Sequence, residues 1–77
     1  MSIKILTVKE AEETEKICNQ YGEFYEGLKG KAVQDYICDN SGVKIKKGEE
    51  CVAVVILPSK NHHNLKLQLS MLSNYVE

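Results

Sequence analysis

The residues of this chain with the clearest chemical potential are its three cysteines, Cys18, Cys38 and Cys51, and the adjacent His62 and His63. A cysteine nucleophile needs a histidine to take its proton and a third group to orient that histidine. A structural zinc site needs four thiolate or imidazole ligands, usually in closely spaced pairs. The cysteines show no such spacing, and adjacent histidines point in different directions. We therefore expect no catalytic residues, no metal and no cofactor.

One alternative for these residues stays open. His62 and His63 could approach Cys38 or Cys51 in the folded chain and bind a metal with them. Cys51 lies in an apolar run, so we expect its thiol to be buried and inert. Cys38 has no basic neighbour in the sequence that would lower the pKa of its thiol. Both observations favour a protein that is not an enzyme.

Cysteine usage and hydropathy predict a cytoplasmic protein. A disulfide framework needs several cysteines in an even number, and this chain has three. Three cysteines fit reduced thiols in a cytosol. The N-terminal residues alternate polar and apolar side chains and lack the long apolar stretch of a signal peptide. The longest apolar run, Cys51 to Leu57, is far shorter than the roughly 20 residues that cross a bilayer. We expect no membrane contact.

The charged residues argue against nucleic acid as the first choice of partner. The formal net charge is −1, and all ten basic residues are lysines. Arginine is the side chain that makes bidentate contacts to phosphate and guanine, and this chain has none. Nucleic-acid binding nevertheless stays open as the competing function. Its candidate contacts are Lys44, Lys46, Lys47 and Lys60.

The N-terminal part predicts a strand, a helix and a loop. The period-2 pattern up to Val8 predicts the strand. Thr7 and Glu10 fit a capping box, so a helix should follow and run to about Tyr21, with Gly22 as its C-cap. We expect its thin apolar stripe to comprise Val8, Ala11, Thr14, Cys18 and Tyr21, with Ile17 beside it. Residues 23–31 predict a loop because glycines punctuate them.

The pattern changes to that of a β-sheet from Ala32 onward. Residues 32–38 predict a strand, and residues 39–42 and 47–49 have the composition of turns. The run from Cys51 to Leu57 is apolar on both faces, which predicts a central strand covered on both sides.

The C-terminal part predicts one further strand. Leu65, Leu67 and Leu69 alternate with polar residues, so we expect an edge strand that pairs back onto the central one. Residues 71–76 then predict one or two helical turns that pack Leu72, Tyr75 and Val76.

Together these elements predict a single α+β domain over residues 1–77. Its first part, residues 1–31, contributes strand, helix and loop, and its second, residues 32–77, is a ribbon-like β unit with a short C-terminal helical turn. The expected fold is a small antiparallel sheet of about three to five strands, with the N-terminal helix packed on it and a metal-free ribbon-like hairpin.

Two short motifs carry a family resemblance. Cys38-Asp39-Asn40-Ser41-Gly42 has the form of a zinc knuckle, and Ser70-Met71-Leu72-Ser73 that of a second knuckle opening a short helix. Residues 36–77 thus resemble small bacterial zinc-ribbon or treble-clef proteins, in which two Cys-x-x-Cys pairs hold a structural zinc. By position these pairs fall on Cys38, Ser41, Ser70 and Ser73.

The resemblance implies a ribbon that has lost its metal, because a neutral hydroxyl is a poor zinc ligand. A serine hydroxyl can still accept hydrogen bonds from turn amides, so the shape of the loop can persist without metal. The alternative also stands: Ser41, Ser70 and Ser73 are then ordinary turn and cap residues.

The function that we expect is non-enzymatic. A small core and a strand that is apolar on both faces favour an interaction or self-associating module, with a protein partner or a homo-oligomer. The candidate contacts are an edge strand of Leu65, Leu67 and Leu69, through strand addition, or the Phe24 and Tyr25 segment.

Overall fold

The structure, a computed structural model, describes residues 2–57 and 65–77 of the chain. In chain order the elements are β1 (Ser2–Leu6), α1 (Val8–Tyr21), β2 (Phe24–Lys31), β3 (Tyr36–Ile37), β4 (Lys44–Ile45), β5 (Glu50–Leu57) and α2 (Leu65–Leu72). The strands form a three-stranded antiparallel sheet and a two-stranded hairpin, so the predicted α+β class is confirmed. Neither helix in this part of the chain is long and apolar enough to cross a membrane.

β5 is the central strand of the larger sheet. The strand order is β1-β5-β2, and both neighbours run antiparallel to β5. Cys51 and the residues Ala53, Val54 and Val55 have no accessible surface, although successive side chains of a strand point to opposite faces. Both faces of β5 are therefore covered, as the apolar run predicts. Each buried valine contributes about 1.5–3 kcal/mol through removal of its side chain from water.

The two covers of β5 come from opposite ends of the chain. In the sheet register, Lys4 and Tyr25 share one face, and both lie within electrostatic range of Cys18 on α1. Gly30 belongs to the opposite face, where a side chain would meet Val76. α1 thus packs on one face, and the C-terminal segment that follows α2 packs on the other.

α1 begins and ends where its capping residues predict. The Thr7 hydroxyl accepts a hydrogen bond of 3.3 Å from the Glu10 N–H. Gly22 adopts a left-handed conformation with φ of 69°, and its N–H bonds to the Cys18 carbonyl. The predicted stripe is wrong at its C-terminal end: Tyr21 in the last turn is 74% exposed and Ile17 is 52% exposed, whereas Ala11 and Cys18 are buried.

The predicted loop over residues 23–31 is wrong, because this segment is the strand β2. Its glycines do not mark turns. A Cβ at Gly27 would lie 2.9 Å from Val52 Cγ1, and one at Gly30 would lie 2.5 Å from the carbonyl oxygen of Glu77. Glycine within a strand often marks such a close approach of another group. Phe24 and Tyr25 accordingly lie half-buried in β2 rather than in a loop.

The predicted edge strand of Leu65, Leu67 and Leu69 is also wrong, because these residues belong to the helix α2. Leu65, Leu67 and Leu69 fit the two-residue period of a strand, but Leu65, Leu69 and Leu72 also fit the spacing of a helix. The segment adopts the helix. Leu69 packs against the core and Leu72 is buried in it. The side chains of Leu65 and Leu67 lie outside the described part of the structure. Strand addition at this segment therefore loses its basis.

The strand predicted for residues 32–38 is reduced to β3. The Ala32 N–H and C=O bond instead to the turn before β5, at Glu49 and Gly48. The predicted turns at residues 39–42 and 47–49 are confirmed. The two predicted parts of the chain share one sheet, because β5 of the second part lies between β1 and β2 of the first.

We expect Gly30→Ala to lower the free energy of unfolding by about 1–3 kcal/mol, because its new methyl group overpacks the contact with Val76 and Glu77. Urea denaturation followed by circular dichroism measures the change. Lys29→Ala is the matched control on the same strand, with an expected effect within about 0.5 kcal/mol. An unchanged urea midpoint for Gly30→Ala would contradict this packing.

Candidate functional site: the Cys38 turn and the hairpin groove

The β3–β4 hairpin is closed by a tight turn, residues 38–43, which we call the Cys38 turn. The Cys38 N–H donates to the Val43 carbonyl at 2.8 Å, and the Gly42 N–H donates to the Cys38 carbonyl at 2.9 Å. Gly42 has φ of 76°, a conformation that glycine adopts without steric cost. The Asn-Ser-Gly sequence before Val43 supplies this turn chemistry.

The sulfur of Cys38 lies inside the turn and is surrounded by hydrogen-bond donors. The side chain is only 1% exposed. Burial acts to raise the pKa of the Cys38 thiol, but donors oppose it: the Ser41 hydroxyl and the backbone N–H groups of Ser41, Thr7 and Asn40. Their sum lowers the pKa below its ordinary value, because each donor favours the thiolate. None of the groups that lower this pKa is a basic side chain, in line with the sequence; they are the Ser41 hydroxyl and backbone N–H groups that the fold brings to the sulfur.

Ser41 acts in two directions within the turn. Its oxygen accepts a hydrogen bond of 3.4 Å from the Val43 N–H, and its hydroxyl interacts with the Cys38 sulfur. This confirms the expectation that a serine at this position can accept a turn amide. The Cys38 sulfur and the Ser41 hydroxyl thus both engage hydrogen-bond donors of the loop.

The Cys38 turn is attached to the junction of β1 and α1. The Asp39 N–H donates to the Ile5 carbonyl at 3.0 Å, and the Ile5 N–H donates to Asp39 Oδ2 at 2.9 Å. Asp39 thereby satisfies both backbone groups of Ile5 on the outer edge of β1, as a neighbouring strand would. Asn40 Nδ2 donates to Thr14 Oγ1 of α1 at 2.8 Å. These bonds fix the position of the hairpin relative to the sheet.

The four positions that the zinc-ribbon resemblance implies include two local contacts. Cys38 and Ser41 meet in the turn, whereas Ser73 Oγ donates to the Ser70 carbonyl at 2.8 Å at the end of α2. Ser73 is thus engaged in a local cap. In the described residues no group of three or more His, Cys, Asp or Glu side chains is placed to hold a metal ion. One thiolate with three hydroxyls does not fit zinc.

The other candidate ligands divide into buried and undescribed residues. Burial raises the pKa of the Cys51 thiol, and also that of Cys18, where Glu23 adds to the effect. Both are held in the neutral form and behave as small apolar side chains. His62, His63 and Lys60 lie outside the described residues.

A surface concavity follows the outer side of the hairpin, and we call it the hairpin groove. Its volume is about 640 Å³. Its lining comprises Asp35, Tyr36, Ile37, Lys44, Ile45 and Lys46. Ile37 is 62% exposed, and Val43 of the adjoining turn is 54% exposed. The groove therefore combines solvent-exposed apolar side chains with two lysines and one aspartate.

The walls of the hairpin groove are held by contacts from the rest of the chain. The Tyr36 hydroxyl donates to the Tyr75 carbonyl at 3.1 Å, and the two rings pack with centroids 6.3 Å apart. The Lys47 N–H donates to Asp35 Oδ1 at 2.9 Å, and the Lys46 N–H donates to Glu49 Oε1 at 3.0 Å. These contacts fix the positions of the residues that line the groove.

Sequence reasoning found the lysines of this surface but missed its apolar residues. Lys44 and Lys46 line the hairpin groove, and Lys47 lies in the next turn. The available signal for Ile37 was strand alternation, which places it opposite the inward-facing Tyr36 and Cys38. The groove itself depends on Tyr75, which is distant in sequence and gave no signal of this contact.

Comparison with known proteins adds no family to this geometry. No protein-family model matches the chain, and neither the curated proteins nor the solved structures give a significant match.

We expect Ser41→Ala to raise the pKa of the Cys38 thiol, because it removes the hydroxyl donor to the thiolate while keeping the backbone donors. The Cβ chemical shift of Cys38, followed by NMR against pH, measures this pKa. The wild-type pKa is lower in the folded chain than in the unfolded chain, so its stabilising contribution is complete above the unfolded pKa. That contribution is lost as pH falls through the folded pKa.

The Cβ shifts of Cys18 and Cys51 are the internal controls of this experiment, since Ser41 does not contribute to the pKa of either thiol. Identical Cys38 titration in wild type and Ser41→Ala would show that the hydroxyl does not stabilise the thiolate.

Proposed function

We propose that this chain is a non-enzymatic, cytoplasmic protein-interaction module whose contact surface is the hairpin groove. The observation that carries the proposal is the exposure of Ile37 and Val43 beside a braced concavity. Exposed β-branched residues that rim a groove gain free energy when a partner covers them. Large apolar side chains on a rigid surface are typical of protein contact sites.

The partner that fits this groove is a protein segment with apolar side chains and neighbouring acidic residues. Ile37 and the adjoining Val43 offer exposed apolar contacts, and Lys44 and Lys46 offer two cations against the one carboxylate of Asp35. The excess positive charge favours an acidic partner and steers its approach. A segment of a few residues is long enough to fill a concavity of this size.

The Cys38 turn supports the proposed origin of the surface. We infer a zinc ribbon in which hydrogen bonds to Cys38 and Ser41 replaced the metal, so that the hairpin kept its shape. The bonds between Asp39 and Ile5 hold this hairpin on the sheet. In this proposal the turn is the support of the interaction surface, and it performs no chemistry of its own.

Nucleic-acid binding is the second candidate function, because Lys44 and Lys46 line the same groove. The local carboxylates weigh against it: Asp35 lines the groove, and Glu49 bonds to the Lys46 backbone. Phosphate contacts would make affinity for generic DNA fall steeply with salt concentration. Binding of an acidic peptide by apolar contacts would persist at higher salt.

The proposal is tested by panning a displayed library of random peptides against the purified chain. We expect enriched peptides to combine apolar and acidic residues. Ile37→Ser should weaken their binding by about tenfold, since truncation of a buried apolar anchor costs more than about 1 kcal/mol. Isothermal titration calorimetry with one synthesised peptide measures the change.

Ile17→Ser is the matched control, because Ile17 is 52% exposed but lies on α1, away from the groove. It should leave peptide affinity unchanged. A library without enriched peptides, or equal losses for both variants, would refute the groove as the contact surface.

A further inference from the structure

The outer edge of β2 carries backbone groups that face away from the sheet. The Lys31 N–H donates to the Glu77 carbonyl at 2.9 Å, and the Glu77 N–H donates to the Lys31 carbonyl at 2.8 Å. Both polar groups of Lys31 thus point away from β5. In an antiparallel strand this orientation recurs at every second residue, so Tyr25, Gly27 and Lys29 present their N–H and C=O groups to the same side.

These three positions have no backbone partner on the outer side among residues 2–57 and 65–77. The residues from Glu26 to Lys29 are exposed. Glu77 covers only the end of the edge, at Lys31. An exposed strand edge of this kind is a template for another strand.

We propose that two copies of this chain associate through their β2 edges and form one continuous antiparallel sheet. The pairing is centred on Gly27, which faces its own copy across a two-fold axis. Tyr25 of each copy then lies opposite Lys29 of the other. Such an isologous contact closes on itself, as most homodimers do.

The sequence of β2 is complementary to itself in this register. Tyr25 and Lys29 share a face of the sheet, so the lysine ammonium of one copy reaches the tyrosine ring of the other. Glu26 lies opposite Leu28, so no like charges face each other. Gly27 at the axis brings no side chain that would separate the strands. A register shifted by one residue places Glu26 opposite Glu26, which repulsion disfavours.

Glu77 limits the length of the shared ladder. Since it already occupies the edge at Lys31, pairing between copies ends at Lys29. On the other copy the ladder ends at the start of β2, which follows the Gly22 C-cap of α1. A short ladder without a large apolar contact gives a weak dimer. This surface is separate from the hairpin groove, so the inference goes beyond the proposed function and does not depend on it.

The test compares Lys29→Pro with Lys29→Ala by sedimentation equilibrium over a concentration series. Proline at this edge position removes only the outward N–H and leaves the ladder to β5 intact. We expect a reversible wild-type dimer and a dissociation constant raised by about tenfold or more in Lys29→Pro, which removes a donor from each copy. Lys29→Ala loses the ammonium contacts with Glu50 and with Tyr25 of the other copy but keeps the N–H, so it should dimerise more tightly than Lys29→Pro. The difference between the two variants isolates the backbone N–H.

Amide hydrogen exchange of the wild-type chain provides a readout that does not depend on the folding of a variant. The amides of Tyr25, Gly27 and Lys29 should become more protected as protein concentration rises. A wild-type chain that stays monomeric, with concentration-independent exchange at these amides, would overturn the proposal. Dimerisation lost in Ile37→Ser but kept in Lys29→Pro would assign the contact to the hairpin groove instead.

Discussion

The burial of β5 on both faces is the constraint that organises this small domain. A strand with apolar residues at every position from Cys51 to Leu57 cannot leave either face in water without a large loss of hydrophobic free energy. β1 and β2 satisfy its backbone from the two sides, α1 covers one face, and the segment ending in Val76 covers the other. Six of the fifteen buried core residues of the described chain lie in this one strand, and much of the rest packs against it.

The hairpin joins this core through Cys38 and Ile45, and polar contacts also hold it on the sheet. Asp39 extends the edge of β1, and Thr7 both caps α1 and donates its backbone N–H to Cys38. These bonds lie partly out of water, where an unpaired partner would be costly. Cys38 is buried in the core, and its sulfur also accepts hydrogen bonds from the surrounding turn. The sulfur and the Ser41 hydroxyl therefore both take part in the hydrogen bonds that hold the turn.

The elements that the sequence predicts well are those with local physical signals. Thr7, Glu10 and Gly22 define α1 through backbone hydrogen bonds of adjacent residues, and the apolar run of β5 has only one stable place in a sheet. β2 could not be found this way, because Gly27 and Gly30 are required by Val52 and Glu77, which are distant in the sequence. α2 was ambiguous because leucines at its start fit both a two-residue and a helical period. The Cys38 turn was found, but its donors and the hairpin groove arise from tertiary contacts.

The central claim is that hydrogen bonds, rather than a metal, hold the Cys38 turn and the hairpin that it supports. The most direct measurement is the zinc content of chain purified without added metal or chelator, combined with thermal unfolding in the presence and absence of a strong chelator. The account predicts negligible zinc and the same unfolding temperature in both conditions. Stoichiometric zinc with unfolding on chelation would contradict it, and would place Cys38 in a metal site.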